Sequence, residues 1–117
     1  MKPNNIFPIV LFVYNRLWHS RKTIDALKKN ELALKSELFI YADGAKNEKE
    51  SNQVFEVRNY IQKVSGFKKV TVIERDYNWG LANSIIDGVT KIVNEYGRII
   101  VLEDDLVTSP YFLKFII

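Results

Sequence analysis

Ile99-Ile100-Val101-Leu102-Glu103-Asp104-Asp105-Leu106 sets four consecutive branched apolar residues directly against three carboxylates. The apolar half reads as a buried strand, and the strand ends in a concentrated negative charge. Anionic groups crowded at one point repel each other, so the arrangement persists where a cation or a hydrogen-bonding ligand offsets the repulsion. Hard divalent ions such as magnesium and manganese prefer carboxylate oxygen and share their coordination shell with substrate phosphates. A metal-bridged phosphate site is the first expectation. The alternative is that the three acids cap the following helix or sit solvated in a loop, and the rest of the chain bears on that choice.

Working outward, Ile9-Val10-Leu11-Phe12-Val13-Tyr14 is a short apolar run after Pro8 and reads as a first buried strand, ending at Asn15 and Arg16. Ser20 is placed to cap a helix through Thr23, Ile24, Leu27 and Lys28. Leu38-Phe39-Ile40-Tyr41-Ala42 is a second strand, closed by Asp43-Gly44. From about Lys49 to Val64, the residues Val54, Val57, Ile61 and Val64 fall at helical spacing, with Gly66 as the stop. Val70-Thr71-Val72-Ile73 is a third strand, followed by the turn-like Asp76-Tyr77-Asn78-Trp79-Gly80. Ile85, Val89, Ile92, Val93 and Tyr96 then line one face of a helix that begins at Leu81 or Ala82 and ends at Gly97.

Strands alternating with helices predict an α/β fold, a mostly parallel sheet of about four strands with helices on both faces. In open sheets of this kind ligands bind beyond the carboxyl ends of the strands, where strand order reverses. Asn15 and Arg16, Asp43, Asn78, and Glu103 to Asp105 each follow a predicted strand and are expected to converge on one rim. No repeat, linker or low-complexity segment interrupts the pattern, so residues 1–117 read as a single domain.

Composition narrows the functional classes. The chain has 117 residues, is 47% hydrophobic, and carries a formal charge of only +3 with both signs interspersed, which gives little support to nucleic-acid binding. Cysteine is absent, which excludes disulfides and thiolate metal sites. No apolar run approaches the roughly 20 residues of a bilayer span, and Met1-Lys2-Pro3-Asn4-Asn5 lacks a signal-peptide core. A soluble, cytoplasmic protein is expected. The ending Pro110-Tyr111-Phe112-Leu113-Lys114-Phe115-Ile116-Ile117 starts like a helix and stops on apolar residues, as in a fragment of a longer protein. Phe112, Phe115, Ile116 and Ile117 would then favour self-association.

Individual rim residues suggest roles. The guanidinium fork of Arg16 suits a phosphate. Asp43, beside flexible Gly44, can accept a hydrogen bond from a ring nitrogen or a ribose hydroxyl, although Asp-Gly is also a common turn pair. Tyr14, Trp18 and Trp79 can stack on a base or sugar, or fill the core. His19 is the only histidine and has no Ser, Cys or second His placed for a triad or zinc site. Neither a dinucleotide fingerprint nor a Walker A lysine follows the first strand.

The ordered set resembles the nucleotide-binding half of GT-A fold glycosyltransferases, most closely the N-acetylglucosaminyltransferase I and family 2-like groups. The resemblance covers nearly the whole chain. It rests chiefly on Val101-Leu102-Glu103-Asp104-Asp105-Leu106 with Pro110, Phe112 and Phe115, and also on Pro8 leading into the Arg16 strand end, on Tyr41-Ala42-Asp43-Gly44, and on Asn78-Trp79-Gly80-Leu81-Ala82-Asn83. It implies a Rossmann-like GT-A subdomain, a nucleotide-sugar donor (most often a UDP-sugar), a saccharide or glycan acceptor, and a manganese or magnesium ion on the donor diphosphate. Asp105 would be the direct metal ligand. Asp104 would contact ribose or sugar with Glu103 nearby, Arg16 and Asp43 would hold the nucleotide, and Asn78 belongs to the same donor site. In the family, the catalytic base lies beyond the acidic motif. This chain ends twelve residues after Asp105, so no general base is assigned and little turnover is expected of the chain alone.

Two other readings compete. A nucleotidyltransferase would carry a glycine-rich basic signature after its first strand, and Tyr14-Asn15-Arg16 lacks the glycines. A non-catalytic, magnesium-binding regulatory or interaction domain of receiver type would place its acidic pair after the first strand, where this chain has Asn-Arg.

Overall fold

The computed structural model describes residues 8–103. Asp104, Asp105 and the apolar segment from Pro110 to Ile117 lie outside them. The elements run β1 (Ile9–Val13), α1 (Leu17–Lys28), a 3-10 turn (Ala33–Lys35), β2 (Glu37–Ala42), α2 (Glu48–Ile61), β3 (Lys69–Glu74), α3 (Leu81–Tyr96) and β4 (Ile100–Glu103). The strands form one parallel sheet in the order β3-β2-β1-β4. The α/β class, the parallel sheet and the helices on both faces are as the sequence predicts.

The first two crossovers carry the chain from β1 out to β3, and the third returns it past β1 to β4. Because each right-handed crossover fixes the side on which its helix lies, the reversal of direction moves α3 to the opposite face. Two apolar layers follow. Ile9, Leu11 and Val13 of β1 pack with Leu38, Ile40 and Ala42 of β2 beneath Ile24 and Leu27 of α1 and Val57 and Ile61 of α2. The alternate residues Val10, Phe12, Phe39 and Tyr41 pack against Ile92 of α3, with Ile85, Val89 and Tyr96 around it. A strand covered on both faces has no polar side to show, which is why β1 is apolar at all five positions.

Boundaries differ from the sequence reading in three informative places. Ser20 does not cap α1. Only three residues separate Val13 from Leu17, so the chain turns straight into the helix with Arg16 at the N-cap, and Ser20, fully buried, donates its N–H to the Arg16 carbonyl at 2.9 Å. Helix α2 starts under an Asn47 cap, whose side chain accepts from the Glu50 N–H, and ends at Ile61. The apolar stripe continues to Val64 through i to i+3 turns from Tyr60 and Ile61, so the helix stops before Gly66. Val93 is 37% exposed and leaves the buried face of α3 to Ile85, Val89, Ile92 and Tyr96. Gly97 does end α3, in the left-handed conformation at φ 79°.

Leu11 is fully buried at the centre of the sheet. Leu11→Ala is expected to cost about 3 kcal/mol of stability. Urea unfolding checks this, with a lower midpoint and an unchanged slope.

Candidate functional site

The carboxyl ends of β1 and β2, the loop after β3 and the start of α3 enclose a cleft of about 450 Å³, and strand order reverses on the other side of β1, toward β4. Its apolar wall comes from Phe12, Val13, Tyr41 and Leu81, and its polar lining from Tyr14, Asn15, Arg16, Asp43, Lys46, Asn78 and Ser84. Four of the residues expected at the rim, Asn15, Arg16, Asp43 and Asn78, therefore meet in one concavity. Phe12 is in register with Glu103 on β4, so the backbone brings the start of the acidic run to the same rim. Trp18 does not join it. That ring is 65% exposed on α1, beside His19 and under the Lys22 ammonium.

Asp43 is buried, and its carboxylate is the centre of the rim. Oδ1 accepts from the N–H groups of Gly44 at 2.9 Å and Trp79 at 2.8 Å, and Oδ2 accepts from the Gly80 N–H at 3.0 Å and from Asn78 Nδ2 at 3.3 Å. Asn78 Nδ2 donates again to the Gly44 carbonyl at 2.8 Å. One side chain thus fastens the loop after β2 to the loop after β3. Gly44 makes the approach possible, since a Cβ there would lie 2.5 Å from the Tyr77 carbonyl carbon.

Arg58 and Arg75, which the sequence reading does not single out, fasten the same loops from below. The Arg58 guanidinium donates to the carbonyl oxygens of Arg75 at 2.7 Å, Asp43 at 3.2 Å and Ala42 at 3.4 Å, and pairs with Glu74 at 3.4 Å. Arg75 is itself buried. Its guanidinium lies 3.9 Å from the Trp79 ring centroid and 4.8 Å from that of Tyr41, and Nη1 is 2.8 Å from Asp87 Oδ2. Trp79 stacks in turn on Tyr77. A buried cation is tolerable only when paired, and Asp87 on α3 supplies the pair. The one local hint to Arg58 is its place beside Val57 and one turn before Ile61; the Arg75 to Asp87 pair carries no pattern at all.

On the other wall, Tyr14 accepts a hydrogen bond from the Lys46 N–H at 2.8 Å, and Asn15 Nδ2 donates to Glu50 and Gln53 of α2. Burial raises the Tyr14 phenol above its ordinary value of 10.0; the Lys46 N–H opposes the rise and the Glu50 carboxylate adds to it. Tyr14 is thus a neutral hydrogen-bonding wall at neutral pH. Among the described residues no group of three acidic or histidine side chains is placed to hold a metal, and no helix is long and apolar enough to cross a membrane.

Burial raises the Asp87 carboxyl, but the Arg75 hydrogen bond, followed by that of Lys91, outweighs it and holds Asp87 below its ordinary 3.8. A depressed folded value means that the contribution to stability is complete above 3.8 and is lost as pH falls through the lower folded value. Wild type is expected to exceed Asp87→Asn in stability at neutral pH, and the difference should close in acid below 3.8. Thermal unfolding of both across that range checks the sign. Gly44→Ala should destabilise by about 2 kcal/mol through its clash with Tyr77, measured by urea unfolding.

Comparison with known proteins places this geometry. The family model described as glycosyl transferase family 2 matches residues 9–117. Among solved structures, the crystal structure of S. aureus TarS superposes with a TM-score of 0.63 at 14% sequence identity, covering 95% of this chain and 18% of that one. The chain therefore spans less than a fifth of that neighbour's length. No curated protein sequence gives a significant match.

Proposed function

Since this chain belongs to glycosyl transferase family 2, we propose that the cleft at the end of β1 and β2 is the donor site for a nucleotide sugar, with a UDP-sugar favoured. The observation that supports this most directly is the meeting of Arg16, Asp43 and Asn78 in a single cleft at the carboxyl ends of the strands, whose lining residue Phe12 is in register with the start of the acidic run. The fold is the Rossmann-like GT-A subdomain, and the proposed reaction of the whole protein is transfer of a hexosyl or N-acetylhexosaminyl group to a saccharide or glycan acceptor. The general base and the acceptor surface belong, in this reading, to parts of a longer protein, and the chain alone binds the donor without turning it over.

Each group has a distinct task in the proposal. Tyr14 and the Phe12 to Tyr41 wall take the flat face of the base, a role suited to aromatic surface with a polar edge. Arg16 sits at the mouth, where a forked cation binds phosphate oxygens. Asp104 is assigned the contact to ribose or sugar, with Glu103 serving near the same site. The described residues alone do not make a metal site, and the acids around the cleft are already engaged, Asp43 by four donors and Glu50 by Asn15. A divalent ion would rest on the acidic run, with Asp105 as direct ligand, and its hard carboxylate oxygens suit magnesium or manganese. When bound, such an ion offsets the charge that grows on a leaving diphosphate. No observation favours the regulatory magnesium-binding alternative.

Calorimetric titration of UDP tests the reading. Binding is expected with manganese, with loss in EDTA and in Asp105→Ala, and roughly tenfold weaker binding in Arg16→Ala, the size of a charge-assisted hydrogen bond. UDP binding that ignores both the chelator and Asp105→Ala would remove the metal from the proposal. Absence of binding by the wild-type chain in manganese would remove the donor site.

A further inference from the structure

The sheet has a second end, opposite the cleft, where the strands start and the helices finish. The connections that follow α1 and α2 are joined there. The Lys68 N–H donates to the Ser36 carbonyl at 3.0 Å, and a Cβ on Gly66 would lie 3.1 Å from the Lys28 Cδ. The first connection carries Lys28, Lys29 and Lys35, the second Lys63, Lys68 and Lys69, and all six are exposed. Their only carboxylates are those of Glu31 and Glu37, and Glu37 is hydrogen-bonded to the Tyr96 side chain. Six lysines against two carboxylates make this end more positive than the whole chain, whose formal charge is +3. The connection after α3 adds Glu95 and Arg98, of opposite sign. Lys28 is 4.0 Å from Asp25, an exposed pair of little strength, and among the described residues no ion pair holds the other five lysines. Leu34, in the 3-10 turn beside Lys35, is 73% exposed. The lysines are dispersed along the sequence, and the parallel topology gathers them.

We propose that this end is a docking surface for an anionic lipid bilayer, with the lysines on the headgroup phosphates and Leu34 entering the interface. Attachment to a bilayer surface combines clustered basic side chains with an apolar side chain that leaves water, and this end supplies both. Lysine is a compact point charge that responds to charge density, whereas recognition of one fixed phosphate geometry favours the arginine fork. A single-stranded nucleic acid would call for exposed aromatic rings among the cations. The aromatic residue of these connections, Phe67, is buried. The inference does not depend on the donor-site reading and is compatible with it, because a chain held by this end keeps the cleft at the carboxyl ends of the strands open to solution.

Co-sedimentation of the full chain with vesicles tests the proposal, using phosphatidylcholine alone and about three parts of it to one part of phosphatidylglycerol. Wild type is expected to bind the mixed vesicles and not the neutral ones, and to be released by about 0.5 M salt. At roughly fivefold per lysine, Lys35→Glu/Lys68→Glu should weaken binding by at least about tenfold. Leu34→Ser should weaken it by about fivefold through loss of the apolar contact. Lys22→Glu/Lys49→Glu makes the same change in net charge outside this end and should bind within about twofold of wild type. Thermal unfolding establishes that each variant is folded. Failure of wild type to bind the mixed vesicles, or equal binding to both kinds, overturns the proposal. Equal weakening by the two double variants overturns the assignment to this end, and unchanged binding by Leu34→Ser overturns the lipid contact. A single-stranded oligonucleotide that binds through Lys35 and Lys68, while vesicles do not bind, would replace the bilayer with a nucleic acid.

Discussion

The rim depends on the Asp43 carboxylate. Parallel strands end without a hairpin to join them, so the loops that follow β2 and β3 have no ladder of their own once the strands stop. Their last common ladder contact is the Arg75 N–H on the Ala42 carbonyl at 2.9 Å. Beyond it the backbone donors of Gly44, Trp79 and Gly80 would need water, and Asp43 receives all three on one buried side chain. Charge-assisted bonds of this kind are about twice as strong as neutral ones. The position of Asn78, the turn at Gly80 and the start of α3 all follow from this one anchor.

Two cations complete what the carboxylate begins. Arg58 reaches up from α2 to three carbonyl oxygens, supplying donors where the sheet's own N–H groups have run out. Arg75 lies between Tyr41 and Trp79 and is neutralised by Asp87, so the tryptophan is held by a charge beneath it and not by burial alone. Loop, sheet end and helix are therefore tied to one another through these two side chains. A cleft wall of that kind is pre-organised, and binding then loses less free energy to ordering side chains.

Much of this architecture was legible in the residues, for a physical reason. Strands buried on both faces must be apolar throughout, and helices packed on them must repeat every three or four positions, so β1 to β4 and the three helices leave local patterns. The cleft was legible because parallel topology sends every strand's carboxyl end to one side, which made Arg16, Asp43 and Asn78 neighbours before any distance was known. Helix ends were less legible. The short connection from Val13 to Leu17 overrode the capping preference of Ser20, and side-chain packing carried the apolar stripe of α2 past its last helical residue. Least legible were the long-range polar pairs. Arg58 with the strand-end carbonyls and Arg75 with Asp87 join residues at least twelve positions apart, and nothing in either local sequence marks the partner.

The division of labour at the rim follows from the same constraint that shapes the sheet. A buried strand has no room for polar side chains along its length, so polar function is confined to the first residues beyond it, and those residues must also satisfy the backbone groups that the ladder leaves behind. Asp43 stands first after β2 and meets that structural demand in full. Asn78 stands further from its strand, after Glu74 by three intervening residues, where no ladder remains to be completed. Its amide nitrogen donates to the Asp43 carboxylate and the Gly44 carbonyl on the neighbouring loop. An amide suits that position better than a carboxylate would, because both groups that face its nitrogen can only accept a hydrogen bond.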